Sequence, residues 1–221
     1  MPLITFQRQH GSRGAVVARL VADRLGYTCW DRELVAAIAV HLQVDASELT
    51  PLDEHRRETG EALAATAASR VGHADYVRGL QAVAQTLTRR GSAVVVGRGV
   101  GFLLGADDCL RVRVVSPLEQ RVASLAARSQ LSVETARATI EYVERDRQAF
   151  VREQHGCDVE DPTSYDLVVS TGTMAVETAA DVIVAAYQAR FGARRWPRAT
   201  LGPSPSNAPW SRPQPRTMTN R

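Results

Sequence analysis

The first twenty-six residues restrict the fold more than any later feature. Leu3 to Phe6 is an apolar run of strand length. Gln7 to Gly14 is polar and holds two glycines. Ala15 to Leu25 then carries Val16, Val17, Leu20, Val21 and Leu25 at helical spacing, and Gly26 stands where a helix stops. Strand, glycine-bearing loop and helix in that order make a βα unit. A helix that crosses back over a sheet returns the chain in its original direction, so the strand calls for parallel partners. Ala93 to Val96, ended by Gly97-Arg98-Gly99, is a buried parallel strand by its unbroken apolar run. Leu110 to Val115, with Arg111 and Arg113 alternating outward, and Tyr165 to Ser170 complete the strands.

Helical patterns fill the intervals. One starts at Asp31, a good N-cap, with Leu34, Val35, Ile38 and Leu42 on one face. Residues 47–90 read as two or three helices with breaks near Gly60 and Gly72. Ser116 as N-cap and Pro117 as first helical residue open a helix that runs to about Arg128. Another runs from Ser132 toward Phe150, and a last one covers Ala175 to Phe191. Alternating strands and helices give the class α/β with a parallel sheet. The hydrophobic share of 44% is enough to fill its core.

All 27 basic Lys+Arg residues are arginine. A Schiff-base lysine and a lysine general base are therefore excluded, as is the standard phosphate loop, whose lysine reaches the β- and γ-phosphates. The formal charge of +3 comes from the C-terminus: six arginines and no acid follow Gly192, which leaves 21 Arg against 24 Asp+Glu, or −3, in residues 1–192. A uniformly basic nucleic-acid binder is not indicated. From residue 193 on, six prolines lie among Ser, Asn and Arg. The expected division is a folded domain over 1–192 and a disordered Pro/Arg-rich tail over 193–221, with only weak nucleic-acid binding through the tail. Three widely spaced cysteines form no CxxC pair or zinc spacing, and no long apolar run is present. A cytoplasmic protein without membrane contact is the simplest expectation.

A glycine turn before a helix exposes backbone N–H groups at the positive end of the helix dipole, which makes an anion site. That signal becomes specific in series with others. The chain resembles the cytidylate kinase-like family, a branch of the P-loop nucleoside monophosphate kinases, over roughly residues 3–190. The resemblance rests on Ile4-Thr5 with Arg8-Gln9-His10-Gly11-Ser12, Asp31-Arg32-Glu33-Leu34, and Val96-Gly97-Arg98-Gly99. It continues in Ser116-Pro117-Leu118-Glu119-Gln120-Arg121, Arg145-Asp146-Arg147 and Tyr165-Asp166-Leu167-Val168.

The resemblance implies a three-layer P-loop kinase fold, with a central parallel sheet, a helical monophosphate-binding part and a short lid. It implies transfer of the ATP γ-phosphoryl group to a nucleoside monophosphate, CMP or dCMP above all, with Mg²⁺ as cofactor. Such chemistry is mostly positioning and charge neutralisation. On this alignment Gly11, Ser12, Arg13 and Gly14 wrap ATP phosphate, together with Arg8. The lysine slot falls on Gly14, and Arg13 or Arg8 is expected to supply the missing cation. Asp31 orients the acceptor or a metal-bound water. Arg98 binds the acceptor phosphate at the carboxyl end of its strand. Arg121 and Arg128 close over the transferring group, as catalytic residues with Arg13 and Asp31. Arg145 and Arg147 flank Asp146, which aligns with an acid that reads the cytosine amino group. Ala149 stands where the family usually has another arginine. Two alternatives stay open: a weak or inactive nucleotide-binding regulatory domain, and a kinase of another small acceptor.

Overall fold

The computed structural model describes residues 1–53 and 71–192. Five strands form one parallel sheet: β1 (Leu3–Arg8), β2 (Thr28–Trp30), β3 (Ala93–Val96), β4 (Cys109–Val115) and β5 (Leu167–Ser170), in the spatial order β2-β3-β1-β4-β5. β1 is the middle strand, and all six of its residues are buried. Ile4 lies in register with Val94 on one side and Leu110 on the other. The chain leaves β1 toward β2 and β3, then passes back beyond it to β4 and β5. The strand order thus reverses at the carboxyl end of β1, where open parallel sheets bind ligands.

Period-two alternation sends the strand side chains into two cores. Ile4, Phe6, Val94, Val96, Leu110, Val112 and Val114 pack beneath α1 (Gly14–Leu25) and α7 (Val176–Phe191). Leu3, Ala93, Val95 and Cys109 face α2 (Glu33–Leu42), α3 (Ala46–Leu49) and α4 (His73–Arg90), meeting Leu34, Ile38, Tyr76 and Leu80. The result is the expected three-layer sandwich. A smaller cluster of Val122, Leu125, Ala136 and Ile140 joins α5 (Leu118–Ser129) to α6 (Val133–His155). No described helix is long and apolar enough to cross a membrane.

Several local expectations change. β2 is a fifth strand that the sequence pattern did not reveal; Thr28–Trp30 pairs with Ala93–Val95 and is only half-covered. Asp31 is not a helix cap: α2 begins at Glu33, and Arg32 holds the N-cap position without a side-chain bond. Pro117, rather than Ser116, precedes the first residue of α5. Ser132 does cap α6, accepting from the Thr135 N–H at 3.1 Å, and that helix continues past Phe150 to His155. Arg111 and Arg113 alternate with the apolar residues of β4, but the face they share is covered. Arg113 is 4% exposed and donates to the Val159 carbonyl and Glu160, with its guanidinium 5.5 Å from the Tyr165 ring centroid. Arg111 donates to the carbonyls of Gly101 and Leu104. The expected break at Gly60 and the tail over 193–221 lie outside the described residues.

Candidate phosphate and nucleotide site

The loop Gln9–Arg13 joins β1 to α1 at the reversal point, and long-range bonds fix its shape. The Gln9 N–H donates to the Val114 carbonyl at 3.0 Å, and the Gln9 Oε1 accepts from the Ser116 N–H at 3.0 Å. Ser12 is 1% exposed; its hydroxyl donates to the Gln9 carbonyl and accepts from the Gly14 N–H. Thr171, just after β5, donates its hydroxyl to the Ser12 carbonyl at 2.7 Å. The His10 carbonyl accepts from Arg121, and the His10 N–H donates to Glu144. Ser12 is therefore part of the loop's internal frame, and its side chain is not on the cleft wall. Arg13 sits at the N-cap of α1 with φ +61, a left-handed conformation that costs a side-chain-bearing residue about 1 kcal/mol.

Above the loop is an open cleft of about 450 Å³. Among the described residues six arginines line it: Arg8, Arg13, Arg19, Arg32, Arg128 and Arg147. Among the described residues the acids on its wall are Asp31 and Glu33. At the amino end of a helix, this excess of guanidinium fits a multiply charged anion. Of the residues singled out in the sequence, the cleft brings together Arg8, Gly11, Arg13, Gly14, Asp31, Arg128 and Arg147.

Four others lie elsewhere. Arg98 follows β3 as expected, in a run of left-handed residues with φ of +82 at Gly97, +56 at Arg98 and +66 at Gly99. Its guanidinium is 1% exposed and does not line the cleft. It grips Asp53 with Nε at 2.6 Å and Nη2 at 2.9 Å, and donates through Nη1 to the Asp31 carbonyl at 2.7 Å. Tyr76 adds its hydroxyl to Asp53 at 2.8 Å. Arg98 thus acts on the cleft through Asp31, and in this conformation it is not presented to an acceptor phosphate. Arg121 is 7% exposed and braces the loop, donating to the carbonyls of Ser116 and His10. Asp146, half-buried, and Arg145, exposed, do not line the cleft, although Arg147, the next residue of α6, does. α6 turns 100° per residue, so neighbours cannot share its inner face.

Arg19 and Arg32 were missed. Arg19 follows Ala15 and Val16 by four and three residues on α1, which puts all three on the cleft side. That spacing was available in the sequence. Glu144, on α6, is half-buried against the loop. Burial pushes its carboxyl above the ordinary range, opposed by the His10 N–H and by the charges of Arg147 and Arg121.

A metal brought by a nucleotide needs only one or two carboxylates, the phosphates supplying other oxygens. Asp31 and Glu33 on the cleft wall meet that need. The residues after the loop, Gly14, Ala15 and Val16, carry no hydroxyl. Among the described residues no cluster of three His, Cys, Asp or Glu side chains can hold an ion. Asp31 and Glu33 fit an ion carried by nucleotide phosphate.

The profile of the cytidylate kinase-like family matches residues 3–173, a span that includes β1, the loop, every cleft residue and β5. The chain belongs to the cytidylate kinase-like family. Among its curated relatives is a cytidylate kinase of Methanothermobacter thermautotrophicus, 24% identical over 176 residues that make up 79% of this chain and 98% of that one. Another from Natronomonas pharaonis is 27% identical over 188 residues, covering 85% and 90%. Among solved structures, a protein from Eubacterium ventriosum superposes with a TM-score of 0.63 at 17% identity, over 84% of this chain and 98% of that one. A shikimate kinase from Bacteroides thetaiotaomicron gives 0.50 at 10% identity, over 85% and 98%. The fold of this family member is that of a P-loop kinase.

Proposed function

We propose that this protein transfers the γ-phosphoryl group of ATP to a nucleoside monophosphate, with CMP or dCMP as the acceptor. The observation that carries the reading is the six-arginine cleft built over a glycine-bearing loop at the amino end of α1. A phosphate oxygen of the acceptor attacks the γ-phosphorus, the bond to the β–γ bridging oxygen breaks, and two nucleoside diphosphates leave. The developing charge lies on the phosphoryl oxygens, so guanidinium groups and backbone amides suffice and no side-chain nucleophile is required.

In this reading the loop backbone of Gly11 to Gly14 and the side chains of Arg8 and Arg13 hold ATP phosphate. Arg128, exposed at the end of α5, and Arg147 on α6 reach the transferring group from the opposite wall. Asp31, pinned by Arg98, orients the acceptor or a water on the nucleotide's metal, and Arg121 acts by bracing His10. Asp31 and Glu33 would hold the Mg²⁺ carried by ATP, which would share the phosphate charge. Asp146 and Arg145 are the candidates for base and acceptor contacts on the α6 side.

A second reading, a nucleotide-binding regulatory domain without turnover, draws on the absent lysine and hydroxyl at residues 14–16. Turnover with Mg-ATP against CMP, dCMP, UMP, AMP and shikimate, with Mg-ATP binding measured alongside, separates the two. Turnover strongest with CMP or dCMP supports the proposal. Saturable ATP binding with no turnover supports the second reading, and turnover with shikimate alone transfers the activity to another small acceptor.

A further inference from the structure

Residues 8 and 14 are six apart, the distance between the first glycine and the lysine of the standard phosphate loop G-x-x-x-x-G-K. This chain has Arg8 and Gly14 at those positions, so the long cation and the glycine have exchanged places. The structure gives the exchange a steric reason. A Cβ built on Gly14 would lie 2.5 Å from the Arg8 Cβ, 3.2 Å from the Arg8 Cγ and 3.2 Å from the Val114 Cβ. No side chain can leave residue 14 while Arg8 is present, because the Arg8 stem runs through the space its first carbon would take. Arg8 is the last residue of the middle strand, 8% exposed, and lines the phosphate cleft. Its backbone is fixed by the β4 ladder on one side. Arg13, the other candidate for the missing cation, is an exposed residue at the loop tip.

We propose that Arg8 is the functional replacement for the phosphate-loop lysine, delivering its charge from the strand side of the loop through the space that Gly14 leaves open. Arg8 and Gly14 are then one device: a side chain at residue 8 requires glycine at residue 14, and the arginine is the side chain that brings the charge. The guanidinium offers a planar fork to phosphate where a lysine offers a point charge, and its stem is held by packing. The inference rests on the reading that ATP phosphate occupies this loop.

The test measures the Kd for Mg-ATP by calorimetry on the full chain, with CMP turnover and ligand-free thermal midpoints beside it. Arg8→Gln keeps most of the stem and removes the charge. It is expected to weaken ATP binding roughly tenfold or more, the usual loss for a charged hydrogen bond. In R8G/G14K the lysine enters the space vacated by Arg8, and affinity is expected to return to within a few-fold of the parent. R8G/G14A has the same cleared space and no cation, so it separates charge from packing should Arg8→Gln fail to fold. R8G/G14K is expected to bind at least tenfold tighter than R8G/G14A. Equal binding by the two, or an Arg8→Gln protein that folds and binds ATP as the parent does, overturns the inference. A parent that binds ATP but phosphorylates no monophosphate refutes the proposed activity and leaves Arg8 to be judged on affinity. A parent that binds no ATP refutes both.

Discussion

Replacing Arg98 with methionine removes one half of a buried ion pair. Arg98 is 1% exposed and Asp53 is 8% exposed, and the two share paired contacts at 2.6 and 2.9 Å. After the change Asp53 keeps the Tyr76 hydroxyl, but its charge has lost the guanidinium in a site that water scarcely reaches. Breaking such a pair from one side costs about 3–5 kcal/mol. The Asp31 carbonyl also loses a donor, for about 1 kcal/mol more. At roughly 2–4 °C per kcal/mol for a chain of this size, the thermal midpoint falls by roughly 8–24 °C. The decisive measurement is the double variant R98M/D53N, followed by calorimetry at neutral pH. Asparagine keeps an acceptor for Tyr76 and carries no charge, so the double variant should recover at least half of the loss. A double variant as unstable as Arg98→Met alone would show that the cost does not come from the Asp53 charge. ATP affinity should change little in the double variant, since Arg98 does not line the cleft, while the acceptor KM rises because Asp31 has lost its anchor.

Three further outcomes follow from the loop and its surroundings. Glu144→Gln keeps an acceptor for the His10 N–H and removes a carboxyl whose folded pKa is raised by burial. A raised pKa favours the protonated folded form. The parent's stability from this group is therefore complete below the ordinary carboxylate pKa and declines as pH climbs through the raised value. Chemical denaturation from pH 4 to 8 should show the variant with a flatter profile, and a variant that declines like the parent would exonerate Glu144. Arg13→Gly relieves the left-handed φ of +61 and should add on the order of 0.5–1 kcal/mol in urea melts, while costing ATP affinity if Arg13 touches phosphate. Arg128→Ala, at an exposed position on the cleft wall, should leave the thermal midpoint unchanged and lower kcat on the order of 100-fold or more in CMP turnover, as loss of a transition-state arginine does.

The sequence made the layers legible because each depends on local pattern. A short apolar run closed by glycine reads as an inner strand, and apolar residues at three- and four-residue spacing read as a half-buried helix. β2 escaped notice because three residues carry no period, and its strand character comes from pairing with β3. The cleft was half legible. The loop and Arg8, Arg13, Arg128 and Arg147 were placed in it from motif order alone. Arg98 was read correctly for its position in the chain and differently for its partner. Nothing in the sequence near residue 98 announces an aspartate 45 positions earlier, nor that both side chains are covered. Arg113 misled for the same reason: alternation tells which face a side chain takes, and only the tertiary structure tells what closes over that face.

The candidate phosphate loop is made by residues 9–13, yet its frame comes from distant parts of the chain. Ser116 holds Gln9, Arg121 and Glu144 hold His10, and Thr171 holds Ser12. During synthesis these residues emerge long after the loop does. A segment made well before its supports therefore reaches its working shape only after them, when the edge strand β5 has joined the sheet. A growing or truncated chain that ends before Thr171 would carry the whole motif and lack the site. On the proposed function, ATP binding would then report completion of the sheet, and a nucleotide present during folding would act on the final step rather than the first.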